Sequence, residues 1–318
     1  AELVYGTVKN VIYIDAVLKT LLRAKKLPRT ISAHALRLGG YQIAFGDVPV
    51  YAAVGETVEA ARMFGVRAPE LSMLNAVLRK FETAFASFTL PTAPEARIAL
   101  KYSHPQWLVR RWIERYDEDF CEKLCAANNM PPPRTFRVNT CKISTSAFEE
   151  KLASDGVHYE RSVLPSHYSV CDDTEGHVLG MMKAGLCTVQ DAGFAAPVLA
   201  LDPKSGERIC EIGAAPGGKT THIAELLTGE TQALFAIDNV FERCGGIVQN
   251  FRRLDMELPN IVVADGGNLP FAEASFDAVL IDAPCSSLGV IRRHPEIKLR
   301  RNEDDFRRLG EQISRIVM

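Results

Sequence analysis

The sequence lacks any long apolar segment. Its 318 residues contain no uninterrupted apolar run near the roughly 18 residues that a membrane-spanning helix needs. The first residues, Ala1–Gly6, also lack the basic, apolar and small-residue order of a secretory signal peptide. We therefore expect a cytoplasmic protein without a membrane partner. Its 47% apolar and 24% charged residues are typical of a globular chain with two or three domains.

Paired cysteine motifs are also missing. The eight cysteines form no CxxC pair, and no histidine lies near Cys121 and Cys125, which are one helical turn apart. Because zinc sites need closely spaced ligands, we expect no metal. Scattered cysteines in a chain without a signal peptide favour a reducing compartment, with most of the thiols in the core.

The chain has no overall basic excess, since its net charge is −2 at pH 7. The charge is unevenly distributed, because residues 1–100 carry 12 Lys and Arg against 8 Asp and Glu. A second basic cluster lies near the C-terminus and comprises Arg292, Arg293, Lys298, Arg300 and Arg301. Such local patches can contact phosphates even in a protein whose net charge is not positive. The alternative interpretation is that these residues lie on a solvated helix face.

The first half of the chain is predicted to be mainly helical. Apolar residues recur at helical spacing in four stretches, 15–23, 33–45, 52–63 and 71–85. These stretches predict an all-α domain over residues 1–90, followed by a linker at Thr89–Pro94. A helical pair over 103–128, a strand at Thr135–Asn139 and a helix near Ser146–Ser154 then predict a small α+β linking domain over 100–165.

The pattern changes to alternating strands and helices beyond residue 186. Four short apolar strands are predicted, at Arg208–Ile212, Ala233–Ile237, Asn260–Ala264 and Phe276–Ile281. Helical segments between them predict a parallel sheet covered on both faces, in a Rossmann-like α/β domain over 170–318. Gly245 and Gly246 fall inside the second of these helices, where glycine is unfavourable and the sequence offers no reason for it.

A glycine-rich turn joins the first of these strands to a helix. The turn reads Gly213, Ala214, Ala215, Pro216, Gly217, Gly218, Lys219, Thr220. Small residues before a helix N-terminus let backbone N–H groups approach a ligand. The spelling also fits the phosphate-binding loop of nucleotide hydrolases, with Asp282 after the fourth strand as the partner that helps to hold Mg²⁺. An NTPase is therefore an alternative function.

Three features favour a nucleoside ligand over a triphosphate. Pro216 removes one N–H from the loop that would surround phosphates. The second strand ends at Asp238, where an acid suits a ribose diol. The third strand ends at Asp265, which can accept a hydrogen bond from an adenine amino group. S-adenosylmethionine would use all of these strand ends, so we predict it as the cofactor.

The fourth strand ends in Asp282-Ala-Pro-Cys285. A thiolate at this edge can add to carbon 6 of a pyrimidine, which makes carbon 5 nucleophilic enough to accept a methyl group. The Asp282 carboxyl group can hydrogen-bond the base near N3. We therefore predict Cys285 and Asp282 as catalytic residues.

These motifs resemble the Sun/Fmu family of RNA cytosine-C5 methyltransferases. The similarity covers the residues from Asp282 to Lys298, Ala214–Thr220 and Val189–Ala192. It extends to Gly40–Ala44, His104–Trp107 and Phe136–Asn139 in the first half. The family usually has cysteine where this chain has Gly213.

The resemblance implies a NusB-like N-terminal RNA-binding domain, the α+β linking domain and a Rossmann-like methyltransferase domain. It implies S-adenosylmethionine bound by residues 213–219, Asp238, Asp265 and Asp282, with Lys219 as a catalytic residue that faces the active site. It also implies 16S ribosomal RNA as the substrate of a monomer. The family's attacking cysteine lies in a Thr-Cys-Ser motif on a later strand, and Cys285 would help to release the product.

No Thr-Cys-Ser motif occurs in the 318 residues, so the resemblance places the attacking cysteine beyond Met318. We therefore expect a chain that is clipped at its N-terminus, is truncated after the fourth core strand and lacks turnover. Two interpretations stay open beside the family's mechanism. Cys285 is itself the nucleophile in one of them, and the chain is a non-catalytic RNA-binding protein in the other.

Overall fold

The computed structural model describes residues 2–23, 25–28, 31–173 and 176–317. The chain divides into two compact units. One comprises the residues up to Pro132 together with Ser286–Phe306, and the other comprises Pro133–Cys285 and the residues from Arg307 onward. Within the described residues, no helix combines the length and the apolarity that crossing a membrane requires.

Both ends of the sequence, Ala1 and Met318, lie outside the described residues. The expectations that concern them are the clipped N-terminus, the truncation after the fourth core strand and the attacking cysteine beyond Met318. No described residue tests these three expectations, so they stay predictions.

Four long helices begin the first unit: α1 (Glu2–Leu21), α2 (Ile31–Phe45), α3 (Val50–Met63) and α4 (Ala68–Ala86). Their apolar faces meet in one core, which contains Ile14, Val17, Leu18, Leu36, Val54, Leu74, Leu78 and Phe81. The four predicted helices are confirmed. Helix α1 begins earlier than the predicted start at Asp15, because Gly6 and several β-branched residues weaken the helical signal in its first half.

Three shorter helices follow, α5 (Pro94–Lys101), α6 (Gln106–Arg115) and α7 (Glu118–Asn129). The predicted helical pair corresponds to α6 and α7, whereas the sequence does not predict α5, which begins at the end of the predicted linker. Helix α7 has an N-cap at Asp117, whose carboxylate accepts a hydrogen bond from the Phe120 backbone N–H at 2.7 Å. Cys121 and Cys125 lie in the core of this helical group.

The second unit begins with an antiparallel sheet in the order β2-β3-β1-β4. Its elements in chain order are β1 (Arg134–Val138), α8 (Thr145–Ser154), β2 (His158–Arg161), β3 (His167–Asp172), α9 (His177–Lys183) and β4 (Cys187–Val189). The sequence predicts only β1 and α8. Strands β2 and β4 have four and three residues and lack a regular apolar pattern, so periodicity does not detect them.

A parallel sheet in the order β7-β6-β5-β8 forms the rest of this unit. Its elements are α10 (Ala192–Leu201), β5 (Ile209–Ile212), α11 (Gly218–Leu226), β6 (Leu234–Asp238), α12 (Phe241–Leu254), β7 (Asn260–Val263) and β8 (Ala278–Ile281). All four predicted strands are confirmed. Their spatial order, third-second-first-fourth along the chain, is that of the Rossmann fold.

A buried ion pair holds the antiparallel sheet to the parallel one. Arg137 on β1 is fully buried, and its Nη1 lies 2.6 Å from Oε2 of Glu225 on α11. Its Nη2 donates a hydrogen bond to the Thr221 hydroxyl at 3.1 Å. Asn139 donates to the backbone carbonyl of Leu254 at the end of α12. Buried polar contacts therefore join the antiparallel sheet to helices α11 and α12, which cover the parallel sheet.

The segment Ser286–Phe306 belongs to the helical unit although it follows the last strand. It contains α13 (Ile297–Arg300) and the first residues of α14 (Glu303–Val317). Lys298 is fully buried, and its ammonium group donates a hydrogen bond to the Lys9 backbone carbonyl on α1 at 2.9 Å. Burial lowers the pKa of Lys298 to about 7.

The basic cluster near the C-terminus therefore has two kinds of member. Lys298 lies inside the protein, so the prediction that this side chain contacts phosphate or solvent is wrong. Arg292 donates a hydrogen bond to the Met130 carbonyl at 3.2 Å, and Arg301 donates one to the Ser286 carbonyl at 3.0 Å. The Arg292 contact attaches the segment to the end of α7, whereas the Arg301 contact lies within the segment itself.

We expect that replacing Arg137 by Met destabilises the protein by about 3–5 kcal/mol, because the Glu225 carboxylate is then buried without its cation. The double substitution Arg137→Met with Glu225→Leu removes both charges and recovers much of this loss. Urea unfolding of the single and double variants measures the effect. A double variant no more stable than Arg137→Met would contradict this interpretation.

We expect acid to destabilise the helical unit through His104. Burial lowers the pKa of this histidine to about 3. The unfolded chain binds a proton below pH 6.5 and the folded chain does not, so the free energy of unfolding falls as the pH decreases from about 6.5.

The variant His104→Gln lacks the imidazole that binds this proton in the unfolded chain. It should reduce the slope of the free energy of unfolding against pH by up to about 1.4 kcal/mol per pH unit. Urea unfolding at pH 7.5, 6 and 5 measures it. His158, which is exposed on β2, provides the control variant His158→Gln. An unchanged slope in His104→Gln would refute the assignment.

Candidate active site

The predicted site residues lie at the carboxyl ends of the parallel strands. The turn that begins at Gly213 follows β5, and Asp282–Cys285 follows β8, which pairs with β5 in the centre of the sheet. The chain crosses to opposite sides of β5 to form β6 and β8. This is the topological switch point at which open α/β sheets bind ligands.

Gly213 lets the two strand ends approach each other. Its φ is +79°, and a Cβ built at this position would lie 2.3 Å from the Asp282 backbone oxygen. Both the left-handed conformation and the close approach therefore require glycine. The cysteine that the Sun/Fmu family usually has here does not fit this backbone without rearrangement.

Helix α12 holds the turn from its other side. Asn250 donates a hydrogen bond to the Pro216 carbonyl at 2.8 Å, and Arg243 donates one to the Ala215 carbonyl at 2.9 Å. A Cβ at Gly246 would lie 3.0 Å from the Cβ of Pro216. This close approach accounts for Gly246 inside a helix, whereas nothing in the structure explains Gly245.

The acids after β6 and β7 have different surroundings. Asp238 is almost fully buried, and its carboxylate accepts hydrogen bonds from the Ala215 N–H at 3.2 Å and the Val240 N–H at 3.1 Å. Asp265 is half-exposed and forms an ion pair with Arg315 at 2.9 Å. Asp238 thus orders the turn, and Asp265 lies at the open edge of the site.

Lys219 and Asp282 are brought together across the switch point. The Lys219 ammonium, in the first turn of α11, lies 2.5 Å from Oδ2 of Asp282. Lys219 is nearly buried, whereas the Asp282 side chain is 44% exposed. The ammonium also lies 4.9 Å from the centre of the Phe194 ring. A charged donor and a partly exposed carboxylate are therefore in direct contact at the switch point.

Cys285 completes the loop after β8. Its thiol is exposed, three residues beyond Asp282. Of the predicted catalytic residues, the structure brings Lys219 and Asp282 into direct contact and places Cys285 in the same loop as Asp282. In the part of the chain that the structure describes, no group of three or more His, Cys, Asp or Glu side chains is arranged to hold a metal ion.

Two site residues were missed from the sequence. Glu211 on β5 is buried, and burial raises its pKa to about 8. The buried Thr220 hydroxyl group lies beside this carboxyl group and opposes the upward shift of its pKa. The sequence did offer a signal for Glu211, because an acidic residue inside the otherwise apolar strand Ile209–Ile212 is unusual.

Gln190 is the second missed residue. Its side-chain amide donates a hydrogen bond to the Gly218 carbonyl at 3.0 Å, and its Oε1 lies 3.2 Å from Nε2 of His167 on β3. The motif Val189–Ala192 was recognised without a role for its members. The structure shows that Gln190 ties the start of α11 to the antiparallel sheet.

Comparisons with protein families match three successive regions of the chain. Residues 1–83 match the NusB family, and residues 104–167 match the ferredoxin-like domain of RsmF/B-like methyltransferases. Residues 198–318 match the family described as 16S rRNA methyltransferase RsmB/F. The NusB-like domain and the methyltransferase fold expected from the motifs are therefore confirmed.

Curated proteins with similar sequences come from several bacteria. The probable ribosomal RNA small subunit methyltransferase B of Bacillus subtilis (strain 168) is 33% identical over 316 residues, which cover 98% of this chain and 70% of that protein. Ribosomal RNA small subunit methyltransferase B of Escherichia fergusonii is 34% identical over 326 residues, covering 99% of this chain and 73% of that protein.

Solved structures show the same architecture. The crystal structure of PH0851 has a TM-score of 0.79 at 25% identity and covers 99% of this chain and 72% of that one. A methyltransferase homologue from Pyrococcus horikoshii has a TM-score of 0.63 at 25% identity, covering 71% and 72%. The domain matches, the long similarity to curated relatives and the site at the switch point agree. This chain belongs to the RsmB/F family of S-adenosylmethionine-dependent 16S rRNA methyltransferases.

Proposed function

We propose that this protein methylates carbon 5 of a cytosine in 16S ribosomal RNA through a covalent cysteine adduct at carbon 6. The observation that carries the proposal is the contact between Lys219 and Asp282 at the switch point, with Cys285 three residues further along the same loop. The Lys219 ammonium group and the Asp282 carboxylate are thus in contact, and the loop that carries Asp282 also carries a thiol. The NusB-like domain would contact RNA phosphates, in line with the basic excess of residues 1–100.

The residues of the site fit S-adenosylmethionine. Gly218 at the start of α11 leaves room for a ligand carboxylate at the helix N-terminus, where the first N–H groups have no partner within the helix. An added Cβ at Gly218 would meet no atom within 4 Å, so the space beside it is open. Asp238 and Asp265 would hold the ribose and the adenine. The cofactor supplies the methyl group from its sulfonium.

Each side chain would then act on the base. Asp282 hydrogen-bonds the pyrimidine near N3, and Lys219 holds the Asp282 carboxylate in position and adds positive charge. Addition of the attacking thiolate to carbon 6 would make carbon 5 nucleophilic toward the methyl group that the cofactor's sulfonium would supply. A base then removes the carbon 5 proton, the C6–S bond breaks and the aromatic ring is restored.

The Cys285 thiol would assist the release step rather than the attack. The family's attacking cysteine lies in a Thr-Cys-Ser motif, which does not occur in the 318 residues. The relatives from Bacillus subtilis and Escherichia fergusonii are longer than the region matched here.

We expect Gly213→Ala to weaken cofactor binding at least tenfold. An added methyl group would lie 2.3 Å from the Asp282 oxygen and push apart the loops that form the pocket. Gly206→Ala is a matched control, because Gly206 also has a positive φ, of +85°, but an added Cβ there meets no atom within 4 Å.

Titration calorimetry with S-adenosylhomocysteine measures the effect. Wild type and Gly206→Ala should bind the ligand, and Gly213→Ala should lose at least tenfold in affinity. Both variants should lose about 1 kcal/mol of stability from the strained backbone. A wild-type protein that binds Mg-ATP and not S-adenosylhomocysteine would establish the NTPase alternative instead.

We expect no covalent adduct between the 318-residue chain and RNA that contains 5-azacytosine, because Cys285 serves release. Gel mobility under denaturing conditions detects an adduct, and the relative from Bacillus subtilis is the positive control for trapping. The variant Cys285→Ser is the matched negative control. An adduct in wild type that disappears in Cys285→Ser would assign the nucleophile to Cys285.

A further inference from the structure

The Phe194 ring is an aromatic surface inside the candidate site that the chemistry above does not use. Phe194 lies in the first turn of α10 and is 43% exposed. The fully buried Ala195 and Val198 anchor the same helix in the protein, so the position of the ring is set by a packed element. Exposure here is therefore not caused by a loose chain end.

The ring lies beside the groups that would handle the base. The Lys219 ammonium is 4.9 Å from its centre, and the same ammonium is 2.5 Å from the Asp282 carboxylate. The cation orients the ring through its attraction to the aromatic face. An apolar plane and a carboxylate within reach of one another are what an unstacked pyrimidine requires, since the base needs a stacking partner and a hydrogen-bond partner.

The location of the ring favours the target base over the adenine of the cofactor. Asp238 and Asp265 follow β6 and β7, whereas Asp282 follows β8 on the other side of β5. With about 4.8 Å between neighbouring strands, β7 and β8 are roughly 14 Å apart. An adenine held near Asp265 is therefore out of reach of a ring that lies beside Lys219 and Asp282.

We propose that Phe194 is the stacking platform for the cytosine that enters the site, a positioning role that rests on the proposed function. The base lies against the exposed part of the ring with its N3 edge toward Asp282. Loss of the ring removes one base–aromatic stack, which lowers affinity for the unstacked base by about tenfold. Tyrosine preserves the stacking plane, and leucine preserves apolar volume without it.

Photochemical cross-linking tests this role. The probe is 16S ribosomal RNA transcribed with 5-iodocytidine, which links to aromatic side chains in contact with the base on irradiation. Linked peptides are identified by mass spectrometry for wild type, Phe194→Tyr, Phe194→Leu and the control Leu226→Ala. Leu226 is similarly exposed, at 41%, but lies at the opposite end of α11 from Lys219.

We expect a cross-link at residue 194 that persists in Phe194→Tyr and Leu226→Ala and is lost in Phe194→Leu, which has no aromatic ring at this position. Affinity for S-adenosylhomocysteine and the Tm should be unchanged in all four proteins. Linked peptides that never include residue 194, or a loss of S-adenosylhomocysteine affinity in Phe194→Leu, would overturn this inference alone. A wild-type protein without S-adenosylhomocysteine affinity would overturn the proposed function as well.

Discussion

The candidate site depends on the contact between two strand ends that a side chain would keep apart. At Gly213 the turn after β5 lies against the backbone of Asp282 after β8. This approach sets the distance over which Lys219, in the first turn of α11, reaches the Asp282 carboxylate. The carboxylate of Asp238 and two side chains of α12 hold the other half of the same turn. The cofactor turn is thus held by the ends of β6 and β8 and by helix α12.

Strand order distinguishes two functions that the motif spelling leaves open. The residues from Gly213 to Thr220 fit a phosphate-binding loop as well as a methyltransferase turn. The parallel sheet has the Rossmann order, and acids follow β6, β7 and β8 in turn. Three acids at neighbouring strand ends suit a nucleoside with a ribose and an adenine. The matches to curated methyltransferases agree with this interpretation.

Much of the fold could be predicted because its strongest signals are local. The four parallel strands are apolar runs between helices, and the first four helices have regular apolar faces. The antiparallel sheet was largely missed, since β2 and β4 are short and their pairing partners are identified only by the tertiary structure. Lys298 was misjudged for a related reason, because only the folded chain shows that the Lys9 carbonyl lies beside it. Gln190 and Glu211 likewise depend on neighbours that no local pattern identifies.

The order of the parts along the chain differs from their arrangement in space. The polypeptide leaves the methyltransferase unit directly after Cys285, and Ser286–Phe306 packs with helices from the start of the sequence. There Phe306 contacts Trp107 and Arg111, and Lys298 is enclosed. A fragment that starts at Pro133 would therefore keep this segment but remove everything that covers it. A single cut in the chain therefore cannot separate the catalytic unit from the helical unit. The residues that directly follow the active-site loop pack among the helices of the helical unit.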